Sequence, residues 1–155
     1  YILEAMSAAG QNAHALKTVR DYWGGMLDMG ATSFWEDFDL AWTNNAFRID
    51  QMPVKGMKDI HGDYGAYCYK GFRHSLCHGW SGGPAPWCIN NILGIKPLDI
   101  GCKTVQVKPD LAGLKWAKGS MALPCGGTVK VEVKQLPDGK LDVSIDAPKH
   151  VKIVR

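Results

Sequence analysis

The chain has 155 residues, enough for one ordinary domain or two small ones. Its 46% hydrophobic and 21% charged residues are the make-up of a folded protein and exclude a disordered one. The 18 basic and 15 acidic side chains leave a net charge of +3, and no basic run interleaves with aromatics, so nucleic acid is excluded as the expected partner; no stretch is long and apolar enough for a membrane span.

The chain opens at Tyr1 and passes at once into a helical pattern with Ile2, Leu3 and Met6. This is expected of a fragment whose true N-terminus, with any targeting signal, lies elsewhere. The first helix is expected over residues 1–9, stopped near Gly10, with Asn12 as the cap of the next. Leu16, Val19, Trp23 and Met26 then make one apolar stripe at steps of three and four; Gly24 and Gly25 weaken that helix and Gly30 ends it. Residues 31–73 show no clean period and are punctuated by Pro53 and by glycines at 56, 62, 65 and 71. A loop this long, rich in aromatics and acids, is expected to be functional. Residues 74–94 read as helical again, with Pro84 starting or kinking a helix, Trp87, Ile89, Ile92 and Leu93 on its buried side, and Gly94 as C-cap before Pro97.

After about residue 98 the period changes from 3.6 to 2. Val129, Val131 and Val133 alternate with Lys130, Glu132 and Lys134; Leu141, Val143, Ile145 and Ala147 alternate with Asp142, Ser144 and Asp146. Pro137-Asp138-Gly139 between them is a hairpin signal. Val105 with Val107, Leu114 with Trp116, and Val151 with Ile153 predict three further strands. The expectation is a small antiparallel sheet with one wet face, packed on the helical part because its own core is marginal. The class is α+β.

Three segments carry residues suited to chemistry. In Gly30–Phe38 (GATSFWEDF), Glu36 sits among Phe34, Trp35 and Phe38, with Trp42 nearby. Such a half-dry carboxylate suits a general acid or base, although a surface Glu beside core aromatics gives the same pattern. In Arg73–Pro84 (RHSLCHGWSGGP), the glycines leave room for a ligand, and His78 and Trp80 can hydrogen-bond and stack on a sugar; a tightly packed helix start with a structural His is the other reading. In Asp59–Tyr67, Asp59 and Asp63 are candidate alternative catalytic acids or hydroxyl acceptors, but the favoured reading is that they position a loop, because Asp beside Gly, as at Gly62-Asp63, is ordinary turn chemistry. A metal set of His74, Cys77 and His78 with Cys68 or His61 lacks supporting spacing, and Asp37-x-Asp39 is a weak metal signal, so neither a metal nor another cofactor is expected. The five cysteines, odd in number and irregularly spaced, are read as thiols acting as small apolar residues. All aromatics but Trp116 lie before residue 90, as platforms for sugar rings would.

Three blocks, DYWGGMLDMGATSFWEDF (21–38), GFRHSLCHGWSGGPAPWCINNILGIKP (71–97) and VKPDLAGLKWAKGSMALPCGGTVKVEV (107–133), resemble the C-terminal part of family 78 α-L-rhamnosidases, in the right order and over nearly the whole chain. The resemblance implies that residues 1–97 are the last helices of an (α/α)6-barrel catalytic domain and 98–155 a small antiparallel β-sandwich. It implies cleavage of terminal α-L-rhamnosides with inversion, a rhamnose-containing glycan or glycoside as substrate, and a secreted or periplasmic setting. It makes Glu36 the general base and His78 a sugar contact, with Trp35 and Trp80 where aromatic walls of the site stand. The general acid of the family lies in an earlier stretch of the barrel, so the chain alone is expected to be inactive and to need the N-terminal part of the same polypeptide. Another specificity on the same scaffold, and a non-catalytic carbohydrate-binding or structural module, are the competing readings.

Overall fold

A computed structural model describes residues 1–59 and 75–155, which form two compact units: Tyr1–Ala15 with Pro84–Arg155, and Leu16–Gly83.

In the first unit, helix α1 (Ile2–Ala8) stops where the sequence predicts. Gly10, at φ +73°, donates to the Ser7 carbonyl at 2.9 Å, and the Gln11 N–H reaches the Met6 carbonyl at 2.8 Å, a glycine-terminated end that leaves two helix carbonyls satisfied. Asn12 does not cap helix α2 (Asn12–Asp28) but is its first residue; its Nδ2 donates to Asp110 Oδ2 at 2.7 Å. Helix α3 (Pro84–Trp87) begins at the predicted proline and widens into a π turn over Cys88–Ile92. It is tied to α1 by Trp87 Nε1 donating to Ser7 Oγ (2.8 Å) and by buried Asn91, which donates to Glu4 Oε2 (3.1 Å) and accepts from Lys96 Nζ (3.1 Å). These bonds satisfy a polar group that would be costly to bury alone. Burial pushes the Cys88 thiol pKa up.

Six strands follow: β1 (Ile95–Pro97), β2 (Thr104–Val107), β3 (Trp116–Ala122), β4 (Thr128–Gln135), β5 (Leu141–Asp146) and β6 (Lys152–Val154). They make two three-stranded sheets, β1-β2-β6 and β3-β4-β5, where one antiparallel sheet was expected. The β2–β6 pair is parallel, with Val105 opposite Ile153. A parallel pair needs a long crossover, and the whole β3-β4-β5 meander serves as that connection. The hairpin at Pro137-Asp138-Gly139 is present: Leu136 donates to the Lys140 carbonyl at 2.8 Å, and Gly139 takes φ +83°. Val129, Val131 and Val133 are fully buried, as their alternation predicts. Both sheets feed one core, with Ile95, Val105 and Val107 from the first and Val129 and Val131 from the second, and Leu93 joins it from the helical segment.

In the second unit, α2 ends at Gly30 (φ +89°), whose N–H reaches the Leu27 carbonyl while that of Ala31 reaches Met26, both at 2.9 Å. Arg48 Nη1 also donates to the Asp28 carbonyl at 3.0 Å, and its hydrogen bonds to Asp50 (2.9 and 2.8 Å) hold the Asp50 carboxyl below its usual pKa. The stretch that shows no clean period contains a 3-10 turn over Leu40–Thr43, capped by Asp39 Oδ1 accepting from the Ala41 N–H at 2.8 Å. The helix predicted from residue 74 starts only at Gly79, as a 3-10 turn over Gly79–Gly82; residues 75–78 are not helical. Three glycines in five residues before Pro84 make a regular helix unfavourable there.

Candidate functional site

Glu36 lies just beyond the α2 stop, in a segment without helix or strand. What orders it is a pairing with residues 75–78 running the opposite way. The Glu36 N–H donates to the Ser75 carbonyl at 2.8 Å, and the Ser75 N–H returns to Glu36 Oε2 at 2.7 Å. Two residues earlier the Phe34 carbonyl accepts from the His78 N–H at 2.7 Å, and Ser33 Oγ donates to the Leu76 carbonyl. Four bonds thus clasp the two segments that the sequence singled out, and Glu36 and His78, 42 residues apart in the chain, are brought onto the two paired segments of this clasp. Both are half-buried. The Ser75 N–H fixes the orientation of the Glu36 carboxyl, which a reacting group requires.

The aromatic residues divide sharply. Trp35 is 1% exposed: its ring lies in the core of Met26, Met29, Ala31 and Trp42, 6.1 Å from Phe38, which in turn meets Trp42 edge-on at 5.8 Å. Trp80 is 95% exposed on the Gly79–Gly82 turn, and Phe34 is 40% exposed. Trp23 Nε1 donates to the Ser81 carbonyl at 2.8 Å and so anchors the turn that carries Trp80. A mostly apolar cavity of about 280 Å³ is lined by Trp23, Met26, Leu27, Ser33 and Phe34, beside the clasp. Sequence reasoning did not single out Ser33, Ser75 or Trp23 for these parts. Ser33 and Trp23 bond backbone carbonyls 43 and 58 residues away, the Ser75 backbone N–H bonds the Glu36 carboxylate 39 residues away, and no local pattern announces such bonds.

Asp59 is half-buried and described, whereas His61, Asp63, Cys68 and His74 lie outside the described residues. Among the described residues no group of three or more His, Cys, Asp or Glu side chains is placed to hold a metal ion, and no helix is long and apolar enough to cross a membrane.

Two solved rhamnosidase structures are similar to this chain. A family 78 rhamnosidase of Bacillus sp. GL1 matches 97% of the chain with a TM-score of 0.72 and 28% identity. An α-L-rhamnosidase of Streptomyces avermitilis, solved with L-rhamnose, also matches 97% with a TM-score of 0.67 and 19% identity. The likeness to family 78 α-L-rhamnosidases read from three sequence blocks is thus found again in three dimensions. The chain spans 14% and 13% of the length of those two proteins. No family model matches the sequence, and comparison with curated proteins gives no match.

Proposed function

We propose that the chain is a C-terminal portion of an inverting α-L-rhamnosidase, in which residues 1–97 complete an (α/α)6 barrel, residues 98–155 form a β-sandwich, and Glu36 is the general base. The clasp carries this reading: a carboxyl oriented by a backbone N–H, set beside the segment of His78, in a fold shared with rhamnosidases. The division near residue 97 marks a change of element and not a gap in packing, since Leu93 belongs to the core of the strands.

In the reaction, an acid supplied by the remainder of the polypeptide protonates the glycosidic oxygen. Glu36 takes a proton from a water that attacks the anomeric carbon from the opposite face. An acid and base about 6.5–9.5 Å apart leave room for that water. His78 holds a sugar hydroxyl, and Trp80 offers its exposed ring to the sugar or its aglycone. Trp35 has its ring in the core, so its part in the site is to fix the backbone next to Glu36.

Glu36→Gln in the complete enzyme should lower turnover of an aryl α-L-rhamnoside by about 10²–10⁴-fold, the usual share of a positioned base, with an unchanged melting temperature. Proton NMR of the first-formed sugar from wild type should show the β anomer. A near-normal rate in the variant removes Glu36 from the role; the α anomer as first product removes inversion.

A further inference from the structure

The outer face of β3-β4-β5 is not used by any of this chemistry, and its register lays the residues out in rows. Trp116 stands beside Lys134 and Asp142, then Lys118 beside Glu132 and Ser144, then Ser120 beside Lys130 and Asp146. All share one face because side chains alternate along each strand while Ala117, Val131 and Val143 turn to the core. An open groove of about 320 Å³ runs over this face, with Ser120 and Ser144 in it, Gly119 contributing backbone, and the charged heads of Lys118, Lys130 and Asp146 along it. The charges cancel: three lysines face Glu132, Asp142 and Asp146, with ion pairs Lys118–Glu132 (3.2 Å), Lys134–Glu132 (2.8 Å) and Lys130–Asp146 (3.1 Å). Trp116 is 62% exposed at the end of the same face. A large indole held on a rigid strand, exposed at a cost in hydration, next to a groove of hydroxyls and paired charges, has the chemistry of a pyranose platform: an apolar ring face for the sugar's C–H groups and paired donors and acceptors for its hydroxyls. The zero net charge favours an uncharged ligand over an acidic one.

We propose that this face is a second carbohydrate-binding site, separate from Glu36, that takes a segment of a neutral polysaccharide with Trp116 stacking on one ring. The site lies wholly within the first compact unit and does not rest on the catalytic reading.

The test is affinity electrophoresis of the full chain in gels cast with arabinoxylan, galactomannan or dextran, with polygalacturonate as the charged control. At least one neutral polymer should retard the wild type. Trp116→Ala and Ser144→Leu, which removes the platform or fills the groove, should each weaken retention at least about tenfold in Kd, with circular dichroism unchanged. Should Trp116→Ala misfold, Ser144→Leu decides. Retardation by no neutral polymer, by polygalacturonate alone, or undiminished in a folded variant overturns the proposal. Hydrolysis of a small aryl rhamnoside by the complete enzyme reports on Glu36 and is untouched by either result.

Discussion

The valine file of β4 and the stretch around Glu36 are held in place by different means. Val129, Val131 and Val133 are positioned by burial: each is at most 1% exposed, Val131 and Val133 pair with both β3 and β5, and Val129 pairs with Met121 of β3. The Glu36 stretch has no ladder. It is set by the glycine stop of α2, by Trp35 anchored in a small aromatic core, and by four hydrogen bonds to residues 75–78. A region fixed by area tolerates loss of any single bond. A region fixed by a few directed bonds can be precise where a regular strand cannot reach, and is sensitive to each of them.

Two glycines sharpen this contrast. Gly94 is where the helical segment turns into β1; its φ is +68°, and a Cβ there would stand 1.9 Å from the Lys108 carbonyl oxygen, which itself belongs to a chain held by the Lys108 N–H bond to Gly94. Backbone cannot swing aside, so Gly94→Ala combines left-handed strain with a clash and should cost on the order of 3–5 kcal/mol in thermal or denaturant unfolding. A loss under about 1 kcal/mol would mean that the turn is softer than its geometry indicates. Gly25 makes the gentler case: a Cβ there would come within 2.8 Å of the Phe38 ring tip, while neighbouring Gly24 has open space. Gly24→Ala should therefore gain up to about 1 kcal/mol of helix propensity, whereas Gly25→Ala should lose that gain and displace Phe38 from Trp35 and Trp42, seen as a change in near-ultraviolet circular dichroism. Equal effects of the two substitutions would show that Phe38 is not wedged against α2.

What the sequence makes legible follows the same division. The β4 and β5 strands, the hairpin between them, the helix stops at Gly10 and Gly30 and the start at Pro84 are local: each is written in a period or in a residue's own φ preference. The split into two sheets is not local, because it depends on β6 returning to β2 across nearly fifty residues, and strand alternation is blind to which partner a strand takes. Asn12 has the residue type of a cap and yet spends its amide on Asp110, 98 positions away. At the site, Glu36 and His78 are visible as residue types in suggestive company, but the clasp that joins them is invisible, since backbone carbonyls accept bonds whatever side chain they carry. The burial of Trp35 was equally hidden: a Trp next to Glu reads as a site wall until the direction of the chain through GATSFWEDF is known.

The finest test addresses the clasp itself. Ser33 Oγ donates to the Leu76 carbonyl on the exposed side of the pairing. Removing one exposed hydrogen bond of this kind costs about 1 kcal/mol or less, so Ser33→Ala should scarcely alter the melting temperature. The bond nevertheless ties Ser33, next to Phe34, to Leu76, which lies between Ser75 and His78, and its loss should let the two segments slide relative to one another. In the complete enzyme the expected outcome is a fall in kcat of up to about tenfold at nearly constant KM, because a loosened base is misplaced in the transition state more than in the ground state. Ser33→Thr, which keeps the hydroxyl, should restore most of the rate. If kcat is unchanged in Ser33→Ala while Glu36→Gln is severely impaired, the Ser33 bond does not position the carboxylate and belongs to the scaffold; if instead stability falls by well over about 1 kcal/mol, the clasp belongs with the core of the unit and its sensitivity is mechanical.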